Sequence, residues 1–416
     1  MRSTPPRACR RPALILILAV AVAWPAAAGE GDSPPAGLKA QAAILVDQAT
    51  GRVLYERNAD QPFVPASLAK LMALHIVWEK LEDRSIGPDD VVFITTRALA
   101  ANQEPGSSLM DLEPGQVVTV MDLMRGTAIA SGNDAATALA EYAAGSVERF
   151  VRLMNDEARW LGYRTMRFAD PAGLSRDNVV TAREFADFCR RYVEWHPQAL
   201  AEVHSIREFF YPLPRNLPAG SSLFLRSYRV YNPNYLVWDP FGVDGLKTGH
   251  LDDENFTAAL TAQRKDTRLI AVLLGIPGDG LTEGAKNRSE DGMALFSWGF
   301  RTYATVHLAA PRLDPVRVWK GEQAEVGLVP ERPIAVTASR AETENIISSV
   351  IAPASLVAPV AKGQRVGELV LSAGGAEIGR VPLVAAAEVP SAGPLKRAWD
   401  TVRMGLNLLM LPADSR

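Results

Sequence analysis

Strand signals stand at both ends of a long helical stretch, and this constrains the fold of the 416-residue chain more than any other feature. At the front, AAILVDQATGRVLYERN reads as a hairpin, with residues 43–47, a turn at Ala49-Thr50-Gly51, and residues 52–57. Far downstream come VDGLKTGH, FTAALTAQ and RLIAVLLGI, the last two joined by the polar turn 264–267, so they should pair antiparallel. Between them, residues 83–197 are dominated by helical patterning, clearest in VMDLMRGTAIA, DAATALAEYAAG and VERFVRLMNDEARWLG. The two strand-forming ends can bury their apolar faces by sharing one sheet, which predicts an α/β domain.

The hairpin leads into PASLAKLMALHIVWEK at residues 65–80, where Ser67 and Lys70 stand three apart at the start of a predicted helix. Positions i and i+3 are neighbours on a helix surface, so Lys70 can sit over Ser67. A serine hydroxyl needs such a base to act as a nucleophile at neutral pH. Lysine serves as that base only if burial or a neighbouring cation lowers its pKa, so the pair requires a largely closed cleft. Unpaired N–H groups at a helix start would also suit developing oxyanion charge. Ser-x-x-Lys arises by chance about once or twice in a chain of this length, so the pair needs support from elsewhere.

Two further stations supply it. Ile129-Ala130-Ser131-Gly132-Asn133-Asp134 is a polar break between helical runs. There Ser131 could relay a proton to a leaving amine and Asn133 could hold Lys70 or a substrate amide. The plain alternative is a helix N-cap, which favours the same residue types. In the strand VDGLKTGH, Lys247 and Thr248 offer a cation and a hydroxyl to a carboxylate. Gly249 permits close approach of an extended peptide added as a strand. The plain alternative for Lys247 is a solvated lysine before a turn.

Around Tyr303 the helical period ends, and short Val- and Ile-rich runs such as VRVWK, IAVTA and RVGELVLS predict a separate small β domain over 305–390. In the tail, 394–411, a helix would place Leu395, Ala398, Trp399, Val402, Leu406, Leu409 and Met410 on one face. Lys396, Arg397, Asp400, Arg403 and Asn407 fall mostly opposite. This pattern suits a helix lying in a membrane surface; the alternative is docking on its own domain or on a partner.

Residues 1–28 carry four arginines and no acids, then PALILILAVAVAW and Ala26-Ala27-Ala28, the pattern of a secretory signal. The apolar run is shorter than the roughly 20 residues of a membrane span. Residues 29–37 form a lead-in to the domain at 38–304. The formal charge of −3, less those four positive charges, becomes −7 after removal of the signal. A mildly acidic remainder argues against nucleic acid as a partner. Cys9 would leave with the signal, so Cys189 would remain as the one thiol, in a pattern that suits a buried helix position.

Ser-x-x-Lys, Ser-x-Asn and Lys-Thr-Gly, in that order, form the signature set of penicillin-recognising serine acyl transferases. PASLAKLM, EPGSSLMDLEPGQVVTVMDLMRGTAIASGNDAATALAE, LGYRTMRFADPAGLS and VDGLKTGH resemble the low-molecular-mass D-alanyl-D-alanine carboxypeptidases over residues 42–303. The resemblance implies a β-lactamase/transpeptidase-like domain, in which an antiparallel sheet flanked by helices carries an all-α subdomain. A small all-β domain and an amphipathic helix would follow.

By that resemblance Ser67 would attack the carbonyl between two D-alanines, Lys70 would take its proton, and Ser131 would pass one to the departing D-alanine. Asn133 would contact the substrate amide, and Lys247 and Thr248 the terminal carboxylate. The backbone N–H groups of Ser67 and His250 would form the oxyanion hole, and Arg288 resembles a family arginine near the carboxylate subsite. Expected partners are peptidoglycan stem peptides, β-lactams and a membrane surface, at the periplasmic face of the inner membrane, with no cofactor. Leu251 replaces the threonine of many relatives, and the acidic run Asp252-Asp253-Glu254 follows it.

Rival readings have less support. A β-lactamase would need a deacylating base, and no Glu-x-x-x-Asn segment stands between Ser131 and Lys247. A His-based serine hydrolase lacks a nucleophile elbow beside any of the five histidines. Metal-dependent hydrolysis lacks a His-Glu-x-x-His or cysteine cluster. A non-catalytic, membrane-tethered wall-binding scaffold would keep the motifs and release no product.

Overall fold

The computed structural model describes residues 33–217 and 228–410. The front hairpin consists of β1 (Ala42–Asp47) and β2 (Val53–Arg57). The late strands are β3 (Val243–His250), β4 (Phe256–Arg264) and β5 (Thr267–Ile276). They form one five-stranded antiparallel sheet in the order β2-β1-β5-β4-β3. The two ends of the region therefore meet as β1 on β5, with Ile44 opposite Val272 and Val46 opposite Ile270.

Alternation along these strands divides the core in two. Ile44, Val46, Ile270 and Val272 face α1 (Ala69–Glu82) and α5 (Ala182–Trp195). Ala43, Leu45, Leu269 and Leu273 face α6 (Gly280–Thr302). Period 2 in a strand covered on both sides is what makes every residue of β1 buried. Each large apolar side chain buried here contributes roughly 1.5–3 kcal/mol. The helices α2 (Val120–Ala128), α3 (Asn133–Ala144) and α4 (Val147–Trp160) complete the layer around α1.

Helix α6 did not stand out in the sequence, and the reason is its glycines. A Cβ on Gly284 would lie 2.2 Å from Phe256 Cε2, and one on Gly292 would lie 2.4 Å from Leu260 Cδ1. The helix is pressed onto β4 so closely that bare backbone replaces the apolar side chains a periodicity search relies on.

Strand pairing resumes at once after α6, where Tyr303–Leu308 pairs antiparallel with Ile334–Ser339. Beyond it, a four-stranded and a three-stranded sheet enclose a core of Val318, Leu369, Leu371, Val381 and Leu383. Arg52 donates to the Thr337 carbonyl and Thr305 Oγ1 to the Asp47 carboxylate, so the β1–β2 hairpin is bonded to these later strands.

The last helix, α7 (Pro394–Met410), turns its polar side to this β region. The Asp400 carboxylate accepts from the Lys320 N–H at 2.7 Å, and Lys396 Nζ donates to the Gly321 and Glu322 carbonyls. Leu395, Trp399, Val402 and Leu406 are left exposed. Among the described residues, no helix is long and apolar enough to cross a membrane. The expected signal lies outside the described residues.

Candidate active site

Ser67 does not begin a helix, as its sequence context predicted. It lies in a short 3-10 turn, Ala66–Leu68, and α1 starts at Ala69. Ala66 takes φ +49, which breaks the helical path and sets Ser67 between α1 and the sheet edge. Two side chains of the β3–β4 region hold the lead-in: Thr257 Oγ1 donates to the Pro65 carbonyl at 3.0 Å and Asn255 Nδ2 to the Val64 carbonyl at 3.2 Å. A Cβ on Gly249 would lie 2.4 Å from Thr257 Oγ1 and 2.9 Å from the Ser67 nitrogen. The third residue of Lys-Thr-Gly is therefore glycine because the nucleophile's backbone passes against it.

Lys70, in the first turn of α1, is fully buried and makes three contacts. Its Nζ stands 3.0 Å from Ser67 Oγ, 2.7 Å from Asn133 Oδ1 and 2.7 Å from the Ala172 carbonyl. Burial pulls its pKa from the ordinary lysine value to about 7, with the Asp170 and Asp134 carboxylates opposing. A neutral amine has two hydrogens and one lone pair. The two carbonyl acceptors use the hydrogens, and the lone pair is left toward Ser67 Oγ.

Asn133 is the first residue of α3, and its side chain turns to Lys70 rather than capping the helix. The cap position belongs to Gly132, which has no side-chain cap. Ser131 is buried with φ +57, and its hydroxyl makes no hydrogen bond to Lys70 among the described residues. The loop opposite is tied down by Asp134, whose carboxylate accepts from the Met110, Leu112 and Ala135 N–H groups. Desolvation raises the Asp134 pKa, partly offset by these donors.

The third wall is β3, an edge strand paired only with β4 in its sheet. Lys247 and Thr248 are buried there, and Lys247 Nζ donates to the Thr248 carbonyl at 2.9 Å. Burial, and then the charges of Lys70 and Arg288, hold Lys247 well below its usual pKa. The solvated lysine is thus ruled out. Arg288, from the buried side of α6, donates to the Gly249 carbonyl at 3.4 Å and the Pro233 carbonyl at 2.7 Å. Burial lowers its pKa to about 10. The His250 side chain is exposed and rests on Phe256 with ring centroids 4.3 Å apart. Just beyond, Arg176 pairs with Asp252 at 2.6 Å, so the acidic run is fastened to the 170–178 loop at the rim.

Sequence reasoning missed three positioning residues. Asp170 accepts from the N–H groups of Ala172, Gly173, Leu174 and Ser175, folding the loop that aims the Ala172 carbonyl at Lys70. Gly173, at φ +85, is fitted against the Ala66 carbonyl, where a Cβ would lie 1.9 Å away. Buried His204 bonds through Nδ1 to the Leu246 carbonyl at 2.9 Å, and burial holds it neutral, at about 3. The available signals were an Asp-Pro-x-Gly turn for the first two and none for His204.

A family described as D-alanyl-D-alanine carboxypeptidase, peptidase S11, matches residues 29–278, and penicillin-binding protein 5, C-terminal domain, matches 306–391. The chain is 36% identical over 372 residues to D-alanyl-D-alanine carboxypeptidase DacC of Escherichia coli K12, covering 88% of each. Penicillin-binding protein 5 from Haemophilus influenzae superposes with TM-score 0.76 at 30% identity, over 86% of this chain and all of that one. Penicillin-binding protein D2 from Listeria monocytogenes, solved in an ampicillin-bound form, superposes with TM-score 0.53 at 26% identity, over 64% of this chain and all of that one. With its three motifs gathered around one buried lysine, the chain belongs to the S11 family of D-alanyl-D-alanine carboxypeptidases.

Proposed function

We propose that this protein removes the terminal D-alanine from peptidoglycan pentapeptide stems through an acyl-enzyme on Ser67. The observation that carries the reading is the buried Lys70 amine, held 3.0 Å from Ser67 Oγ by the Asn133 and Ala172 carbonyl oxygens, where burial lowers its pKa to about 7. Lys70 Nζ takes the hydroxyl proton as Oγ forms a bond to the carbonyl carbon between the two D-alanines. The tetrahedral oxyanion is met by the Ser67 and His250 N–H groups. The C–N bond breaks, and the leaving amine takes the proton from Lys70 through Ser131, whose hydroxyl must turn to Lys70 once substrate is bound. Water then attacks the ester, Lys70 again accepting the proton, and Oγ leaves with it.

Asn133 orients both Lys70 and the substrate amide. The substrate's extended end lies along β3, where Arg288 and Lys247, whose pKa the arriving carboxylate draws back up, supply the positive field, Thr248 donates its hydroxyl hydrogen, and Gly249 keeps the path open. β-Lactams imitate the D-Ala-D-Ala end and acylate Ser67, with slow release. The site of action is the periplasmic face of the inner membrane, reached through the signal at residues 1–28 and held by the apolar face of α7.

Purified protein incubated with a diacyl-D-Ala-D-Ala peptide should release D-alanine, and Ser67→Ala should release none. Absence of release from the intact protein would favour a wall-binding scaffold. Rapid turnover of a penicillin, instead of a persistent adduct on Ser67 by mass spectrometry, would favour a β-lactamase.

A further inference from the structure

Away from the acyl-transfer groups, α1 carries a second set of polar side chains that the reaction does not use. His75 lies five residues beyond Lys70, and its side chain is 1% exposed. Its Nδ1 is 2.8 Å from His196 Nε2, and His196 Nδ1 is 2.7 Å from Glu82 Oε1. In a neutral His196 with its hydrogen on Nδ1 for the short carboxylate contact, Nε2 accepts and His75 Nδ1 donates. The relay runs from His75 through His196 to Glu82 and leaves His75 Nε2 turned toward two more carboxylates. Glu157 Oε1, on α4, is 3.4 Å from it and Glu79 Oε1, one turn along α1, is 3.7 Å.

A bare lone pair facing two carboxylates is repulsive, so something positive belongs between them. A charge-assisted hydrogen bond is ordinarily about 2.7–2.9 Å, so the 3.4 Å hydrogen-bond contact from His75 Nε2 to Glu157 is a long one, and Glu79 at 3.7 Å is beyond it. Two ligands that each stand about 2.0–2.1 Å from a tetrahedral ion are roughly 3.3 Å apart, close to these spacings. One ligand atom from each of the three residues lies within 4.8 Å of the others.

We propose that His75 Nε2, Glu79 and Glu157 bind one divalent transition-metal ion, zinc by preference, with water completing the shell. One imidazole and two carboxylates form a borderline nitrogen–oxygen donor set suited to Zn²⁺. The His196–Glu82 relay is the outer support that fixes a metal-ligating imidazole in the required tautomer. Stacking on Trp195, with centroids 5.4 Å apart, and an edge contact with Phe188 hold the ring still. Exposure rises from His75 to Glu157 at 16% and Glu79 at 47%, which provides an entry path. The path opens on a cavity of about 290 Å³ whose wall also carries Asp83, Asp156 and one cation, Lys80. The ion would clamp α1 to α4 and, through His196, to the end of α5.

The test uses the full chain stripped with a chelator and titrated with ZnCl₂ in a calorimeter. One equivalent should bind and raise the unfolding temperature, and Co²⁺ should give the visible absorption of a tetrahedral nitrogen–oxygen site. Glu157→Gln, at a partly exposed position, should fold and lose this binding. Glu82→Gln should weaken it by about 10–100-fold by loosening the relay. D-Alanine release by metal-free Glu157→Gln should match the parent, which separates this site from the acyl-transfer reading. No stoichiometric uptake would overturn the proposal and assign a proton to His75 Nε2. Uptake unchanged in Glu157→Gln would overturn it as well.

Discussion

Asn133 Oδ1 and Lys70 Nζ stand 2.7 Å apart, although 63 positions separate them in the chain. Together with the Ala172 carbonyl, the amide oxygen fixes both hydrogens of a neutral amine. The base is thereby oriented before substrate arrives, and the pKa of Lys70 becomes the quantity that sets its rate.

Acylation should follow the neutral form of Lys70. Its pKa in the folded protein is about 7, so protonation at lower pH removes the lone pair that Ser67 needs. The second-order rate of labelling by a fluorescent penicillin should rise with pH and reach half its plateau near 7. Lys70→Ala should lower it by about 10²–10⁴-fold, the contribution of a positioned base. A flat profile between pH 5 and 9 would sink this assignment.

Replacing Asn133 by aspartate keeps the shape and places a negative charge 2.7 Å from Nζ. An opposite charge at such a distance raises a lysine pKa, by about 1–3 units. Half of Lys70 is neutral at pH 7 in the parent, so Asn133→Asp should acylate about 5–500-fold more slowly there and recover as the pH is raised toward 10. Asn133→Ala loses the acceptor without adding charge and should show no such recovery. Identical profiles for the two variants would count against an electrostatic effect.

Gly173 tests the loop that aims the Ala172 carbonyl. An alanine there meets the Ala66 carbonyl and takes a left-handed φ of +85, which alone costs about 1–2 kcal/mol. Gly173→Ala should lower the unfolding temperature by several degrees and slow penicillin labelling at least tenfold, because the shift falls on the turn that carries Ser67. Labelling at the parent rate would show that the loop yields without moving the nucleophile.

Much of the site was legible because its side chains sit in three short motifs whose spacing is chemical. Ser67 and Lys70 are neighbours through local geometry, and Gly249 is small because Ser67 passes it. The groups that were not legible act through backbone or through distance. The Ala172 carbonyl carries no residue-type signal, and Asp170 and Asp134 look like ordinary loop acids until their N–H partners are seen. His204 has no local pattern, since its partner, Leu246, is 42 positions away. The hairpin and the late strands were readable from alternation, whereas α6 was hidden by the glycines that let it approach β4.

The amphipathic tail leads to the last prediction. In α7 the polar side makes the contacts with the β region, through Asp400 and Lys396, while Leu395 is 88% and Trp399 62% exposed. A terminal helix docked for stability would bury those apolar groups instead. The exposed stripe therefore favours an apolar surface as its destination, and the helix is not long and apolar enough to cross a bilayer. Leu395→Ser with Trp399→Ser should lower co-sedimentation with anionic phospholipid vesicles roughly tenfold or more, since each side chain gives up about 1–3 kcal/mol of burial. D-Alanine release in solution should not change. Deleting residues 394–416 should move the protein from the membrane to the soluble fraction. A truncated protein that still sediments with membranes would show that attachment lies elsewhere in the chain.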